Sequence, residues 1–217
     1  IGYAIILGAA SSTDANYNGL DPADVSVVNA DNEGGITVSP TSGLTTTEPG
    51  GTTTFTLVLN TQPSAAVTIG LSSSDTTEGT VSPASVTFTS SDWNVPQTVT
   101  VTGVNDWVDD GSINYTIVTA TATSGDLGYN GLNAPDVSVS NTDDDASGVV
   151  TSVGVNLVSL VEGKTNGYAV VLNSEPTANV TVNVSSGNTV QGGTVLPVAL
   201  IFTPANWSNA QPVTATA

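Results

Sequence analysis

The side chains of this sequence that could do chemistry are nearly all carboxylates. Aspartate and glutamate number 19 against one base, Lys164, with no histidine and no cysteine, for a formal net charge of −18. Several acids fall into groups: Glu48, then Asp75 with Glu78, then Asp106, Asp109 and Asp110, and finally Asp143, Asp144 and Asp145. Carboxylates that converge repel one another unless a cation sits among them. Calcium suits such a set, because it takes six to eight oxygens at about 2.3–2.6 Å in flexible geometry, from carboxylates, carbonyls and water. An EF-hand is excluded: a loop starting at Asp143 would need its closing Glu where Gly154 stands.

The residue types that are missing remove other chemistries. Nucleophilic sites and zinc sites built on histidine or cysteine have nothing to draw on, and disulfides are impossible. Paired carboxylates can hydrolyse glycosides, but these acids sit in turns without an aromatic-lined cleft, so no enzymatic activity is expected. An acidic surface repels phosphate backbones and anionic lipid, which argues against nucleic-acid or membrane-surface binding. No apolar run approaches the roughly 20 residues that span a bilayer, so membrane insertion of this segment is not expected. A Thr-rich, cysteine-free chain suits an extracellular or cell-surface protein.

The elements that must position the acids are strands. Phe55, Leu57 and Leu59 alternate with Thr54, Thr56 and Val58. The same period of two recurs in Val67-Ile69-Leu71, Val86-Phe88, Val99-Val101 and Val137-Val139, with Tyr115, Ile117 and Val118 less strict. Turn signals separate them, among them Glu48-Pro49-Gly50-Gly51, Gln62-Pro63-Ser64 and Asp109-Asp110-Gly111. Seven or so short strands in one such unit predict an all-β fold, an immunoglobulin-like Greek-key β-sandwich. Trp93 and Trp207 are expected to cover sandwich edges, and Lys164 to face solvent.

The chain also repeats itself. Residues 1–33 align without a gap on 113–145, and sixteen of the 33 positions are identical. Shared blocks are Tyr17-Asn18-Gly19-Leu20 with Tyr129-Asn130-Gly131-Leu132, and Asp24-Val25-Ser26-Val27 with Asp136-Val137-Ser138-Val139. Further on, Glu48 matches Glu162, Leu57-Val58-Leu59-Asn60 matches Val170-Val171-Leu172-Asn173, Phe88 matches Phe202 and Trp93 matches Trp207. Tandem repeats of about 113 residues follow: the C-terminal part of one repeat (1–33), a complete repeat (34–145) and the N-terminal part of another (146–217). The two partial repeats nearly complement one another, as in a window on a long array or a subunit that joins head to tail with copies of itself.

The order of the acids resembles the Calx-beta domain. The resemblance rests on Glu48-Pro49-Gly50-Gly51, the turn acid Asp75, the stretch Val104-Asn105-Asp106-Trp107-Val108-Asp109-Asp110-Gly111, and the terminal Asp143-Asp144-Asp145. It covers the complete repeat and parts of both fragments. That family includes the calcium sensors of sodium–calcium exchangers and repeats of large bacterial surface proteins. The resemblance implies calcium at one end of each sandwich, held by Glu48, Asp75, Asp106, Asp109, Asp110, Asp143, Asp144 and Asp145. The sequence departs from the pattern in several places. Pro49 interrupts Glu-Gly-Gly, and the family often carries Glu where Asp109 or Asp110 stands. Asn188 and Gln191 replace Asp75 and Glu78 in the last repeat, and Asp31-Asn32-Glu33 replaces the three terminal aspartates in the first.

Two functions follow as expectations. One is a structural repeat protein of an extracellular fibre, stalk, sheath or surface layer, rigidified by calcium and contacting neighbouring repeats or copies of itself. The other is an adhesin or calcium-sensing module that recognises a receptor or glycan through its loops, with 123–135 as the candidate. The recurrence of Tyr129-Asn130-Gly131-Leu132 at 17–20 favours a shared structural job for that loop.

Overall fold

The structure is a computed structural model that describes residues 2–28, 34–152, 162–187 and 193–217. Asp31–Glu33, Asn188 and Gln191, noted above, lie outside the described residues. The described residues form strands and turns, and none of them forms a helix.

Strands β1 (Gly2–Ile5) and β2 (Val25–Val28) form an antiparallel pair. Ten follow: β3 (Ile36–Ser39), β4 (Leu44–Thr47), β5 (Thr52–Leu59), β6 (Val67–Ser73), β7 (Gly79–Ser82), β8 (Ser85–Phe88), β9 (Gln97–Gly103), β10 (Ile113–Thr119), β11 (Thr123–Ser124) and β12 (Val137–Thr142). The rest are β13 (Val149–Thr151), β14 (Thr165–Leu172), β15 (Val180–Asn183), β16 (Thr194–Leu196), β17 (Ala199–Phe202) and β18 (Gln211–Thr216).

Strands β3 to β12 make a two-sheet sandwich. One sheet runs β3-β5-β9-β7; the other carries β6, β10, β12 and β4 in that order, with β8 and β11 joined to β6. The period-two residues explain the pairing of the sheets. Phe55, Leu57 and Leu59 from the first sheet meet Val67, Ile69, Ile117 and Val137 from the second in one core, all nearly or fully buried. Each such side chain contributes roughly 1.5–3 kcal/mol by leaving water. Trp93 packs against this core and Trp207 against a second one of Val170, Leu172, Leu200, Phe202 and Val213. That second core lies between the β13-β14-β18-β16 sheet and the β15-β17 pair.

The structure has more strands here than the pattern suggests, because β3, β4, β7 and β11 are short and Thr- or Ser-rich. Leu44-Thr45-Thr46-Thr47 shows no apolar alternation, yet it adds to the sheet as a parallel neighbour of β12, Thr47 opposite Thr142. At the end of β9, Gly103 is required by close approach: a Cβ there would collide with the Thr47 carbonyl and the Asn141 side chain. Gly103→Ala is therefore expected to lower the unfolding free energy by about 1–3 kcal/mol through overpacking. Urea denaturation followed by circular dichroism measures it, and an unchanged midpoint would mean that β9 does not press on this turn.

Candidate metal centre

The parallel ladder between β4 and β12 explains why the acids meet. Both strands leave the sheet at the same end, so the turn that begins at Glu48 emerges beside Asp143–Asp145. Glu48 N–H donates to the Thr142 carbonyl at 3.1 Å. Gly50 reverses the turn with φ +85°, a left-handed conformation that glycine adopts without a Cβ clash. Gly51 N–H then donates to Thr47 O at 3.0 Å, and Gly103 N–H to Gly51 O at 2.9 Å, which brings the end of β9 and the following acidic loop to the same pole. Gly79 pairs with Gly103 across β7 and β9, and Val104 N–H donates to Glu78 O at 3.0 Å, so Glu78 is drawn in as well.

Two sets of carboxylates result. Glu48, Asp144 and Asp145 each offer an oxygen within 4.8 Å of the others, and so do Glu78, Asp106 and Asp110. The two glutamates are the buried members, Glu48 at 2 % exposure and Glu78 at 6 %. Glu48 Oε2 is buried with no hydrogen-bond partner. Burial pushes the Glu48 carboxyl up to about 7, and the charges of Asp106, Asp143, Asp145 and Asp110 add to the shift. Burial likewise raises Glu78; the Asn141 amide, donating to it at 3.3 Å, opposes this, and Asp110, Asp75 and Asp106 reinforce it. Asp110 and Asp145 are raised by burial and then by neighbouring aspartates.

The remaining candidates have local hydrogen-bonding roles. Asp143 braces the pole with both oxygens, accepting from Gly111 N–H and Asp145 N–H at 2.7 Å each. Asp75 accepts from Thr77 N–H at 3.0 Å and Thr77 Oγ1 at 2.6 Å, which hold it below the usual carboxylate range, though its charge reaches Glu78. Asp109 accepts from Ser147 N–H at 2.7 Å and is lowered by that bond. Glu78 was visible in the sequence only as a turn acid beside Asp75. The β7–β9 pairing, which no local signal gives, turns it inward. Behind it, Asn141 also donates to Val104 O at 3.1 Å and accepts from Thr46 Oγ1 at 2.9 Å, tying the acids to the sheet. The chain's one base, Lys164, is exposed and lies in the 146–217 segment.

The donor set is all oxygen, which selects hard cations such as calcium over zinc or copper. The acidic loop also reaches the next segment. The Trp107 ring lies 6.1 Å from that of Trp207, and Glu175 N–H donates to the Trp107 carbonyl at 2.6 Å. Trp107 stands between Asp106 and Asp109, so the loop that carries acids also makes this contact.

No protein-family model matches the chain, and no curated protein matches it. Among solved structures, the calcium binding domain CBD12 of CALX1.1 aligns at 16 % identity and TM-score 0.41, over 82 % of this chain and 72 % of that one. The S-layer protein rSbsC(31-844) aligns at 19 % identity and TM-score 0.32, over 83 % and 23 %. The E. coli chaperone DraB aligns at 9 % identity and TM-score 0.36, over 84 % and 86 %. At these values the reading of the site rests on its own residues.

The raised Glu48 value fixes a pH response. Its folded value near 7 lies above the ordinary 4.5, so between the two the folded state holds a proton that the unfolded state has released. The contribution of Glu48 to metal-free stability is therefore fully present below the lower value and is lost as pH rises through 7. Thermal melts in chelator should show the melting temperature falling from about pH 5 to about pH 8, with Glu48→Gln flattening the fall. A melting temperature that instead rises over this interval would show that Glu48 is not held neutral.

Proposed function

We propose that this chain is a structural repeat protein of an extracellular fibre, stalk, sheath or surface layer, in which calcium stiffens the acidic pole and the joint beside it. One observation carries the reading: Glu48 Oε2 is buried without a partner, among aspartates that no base neutralises. Glu48, Asp144 and Asp145 would hold one calcium ion, and Glu78, Asp106 and Asp110 another or a shared one. Asp143, Asp75 and Asp109 would shape the loops around them. When bound, calcium supplies positive charge that cancels the mutual repulsion of these groups. Because Trp107 sits within the same loop, fixing Asp106 and Asp110 also fixes the contact with Trp207 and Glu175.

The placement of the 123–135 loop favours structure over recognition. Tyr129 is buried, its hydroxyl donating to Thr61 O at 2.7 Å and accepting from Thr61 N–H at 3.0 Å, so the aromatic side chain of the recurring block is used in packing.

The test is a melt of the whole chain with calcium, with magnesium and with chelator. Calcium at about a hundredfold over its dissociation constant should add about 2.7 kcal/mol of stability. Magnesium should add far less, and Asp106→Asn/Asp144→Asn should abolish the gain. Since bound ligands must be deprotonated, calcium affinity should also weaken as pH falls through 7. Superimposable melts and no heat on calcium titration would sink the reading.

A further inference from the structure

Behind the acidic pole lie four buried polar side chains, of which the calcium reading uses only Glu78. Thr46 and Asn141 stand opposite one another in the parallel β4–β12 ladder, each 1 % exposed. Thr46 Oγ1 lies 2.9 Å from Asn141 Oδ1 and 3.1 Å from Tyr115 Oη, and in the second contact either hydroxyl can be the donor. Buried Glu78 brings Oε2 to 3.3 Å from Asn141 Nδ2. An alcohol, a carboxamide and a carboxyl are thus in contact, in that order, away from water.

Their positions are tightly set. A Cβ on Gly79 would collide with the Tyr115 ring and hydroxyl, and one on Gly103 with Asn141 Oδ1, so both glycines let the set close up. Asn141 Nδ2 also donates to Val104 O at 3.1 Å, which holds the carboxamide against Thr46 from its far side. The sequence adds an independent sign that the set works as a unit. The alignment that matches Glu48 with Glu162 puts Leu160 in the place of Thr46, and Gln191 replaces Glu78. The alcohol and the carboxyl are therefore exchanged together where the repeat recurs.

We infer that Thr46 and Asn141 form an intramolecular ester that joins β4 to β12. With its proton turned to Tyr115 Oη, Thr46 Oγ1 presents a lone pair to Asn141 Cγ. The Oγ1–Cγ bond forms, the Cγ–Nδ2 bond breaks, and ammonia leaves. The hydroxyl proton ends on the departing nitrogen, carried by the Glu78 carboxyl that touches it. Nothing is oxidised or reduced, and no co-reactant is consumed. A hydroxyl is a weak nucleophile, but reactants fixed in contact gain an effective molarity of about 10⁵ M or more. A carboxylate has two oxygens, so Glu78 keeps one for a cation. Because β4 and β12 lie near the two ends of the repeat, a pull along the chain would pass through the ester and spare the residues between 46 and 141. This goes beyond the calcium reading and stands without it.

The test is the intact mass of the 217-residue chain, purified folded and held at neutral pH for days with chelator and with calcium. The mass should fall short of the sequence mass by one ammonia. Digestion should give two peptides, one with Thr46 and one with Asn141, that stay joined until hydroxylamine cleaves the ester. Thr46→Ser should keep the mass loss, Thr46→Val should restore the full mass, and Glu78→Gln should slow the loss about a hundredfold or more. A full mass in the folded native chain overturns the proposal. So does a loss that persists in Thr46→Val, which marks an asparagine cyclising on its own backbone. The native mass and the joined peptides decide the question even where Thr46→Val fails to fold. An ester in a chain that binds no calcium overturns the calcium reading alone, and calcium binding at full mass overturns the ester alone.

Discussion

The parallel pairing of β4 with β12 is the constraint on which the rest depends. Neighbouring strands elsewhere in the sandwich run antiparallel, which sends consecutive turns to opposite ends. This one pair instead delivers Glu48 and Asp143–Asp145 to the same end, where the β9 exit and the β7 entry already place Asp106, Asp110 and Glu78. Like charges are held together by backbone hydrogen bonds that do not depend on the charges. The fold can therefore sustain a repulsive pole, in which burial first and the neighbouring charges second push Glu48, Glu78, Asp110 and Asp145 upward.

Under the proposed function such a pole would control stiffness. Its loop carries Trp107 against Trp207, and Asp109 grips Ser147 at the start of the next segment. Relief of repulsion at one end of a sandwich is thereby connected to the geometry of the junction. In an array where each unit touches only its neighbours, the junction sets the rigidity of the whole.

Alternation at period two was sufficient to read β5, β6, β8, β9 and β12, because a residue type that must leave water every second position leaves a local trace. β4 left none. Its three threonines suit an edge strand, and its place is set by Asn141 and Val139 nearly a hundred residues away. The candidate site divides in the same way. The groups of acids were legible as groups, but nothing local distinguished Asp109, tied to Ser147, from Asp110 beside Glu78 and Asp106. Glu78 was seen as a charge in a turn and not as a buried carboxylate.

The sequence by itself determined the all-β class, the repeated pattern, the excess of acid and the absence of histidine, cysteine and methionine, because these depend on residue type and short-range spacing. Tertiary structure alone decided which carboxylates share a pocket and which oxygen is left without a partner. Those outcomes depend on strand order and direction, and pairing of distant strands is fixed by the whole core rather than by the residues that are brought together.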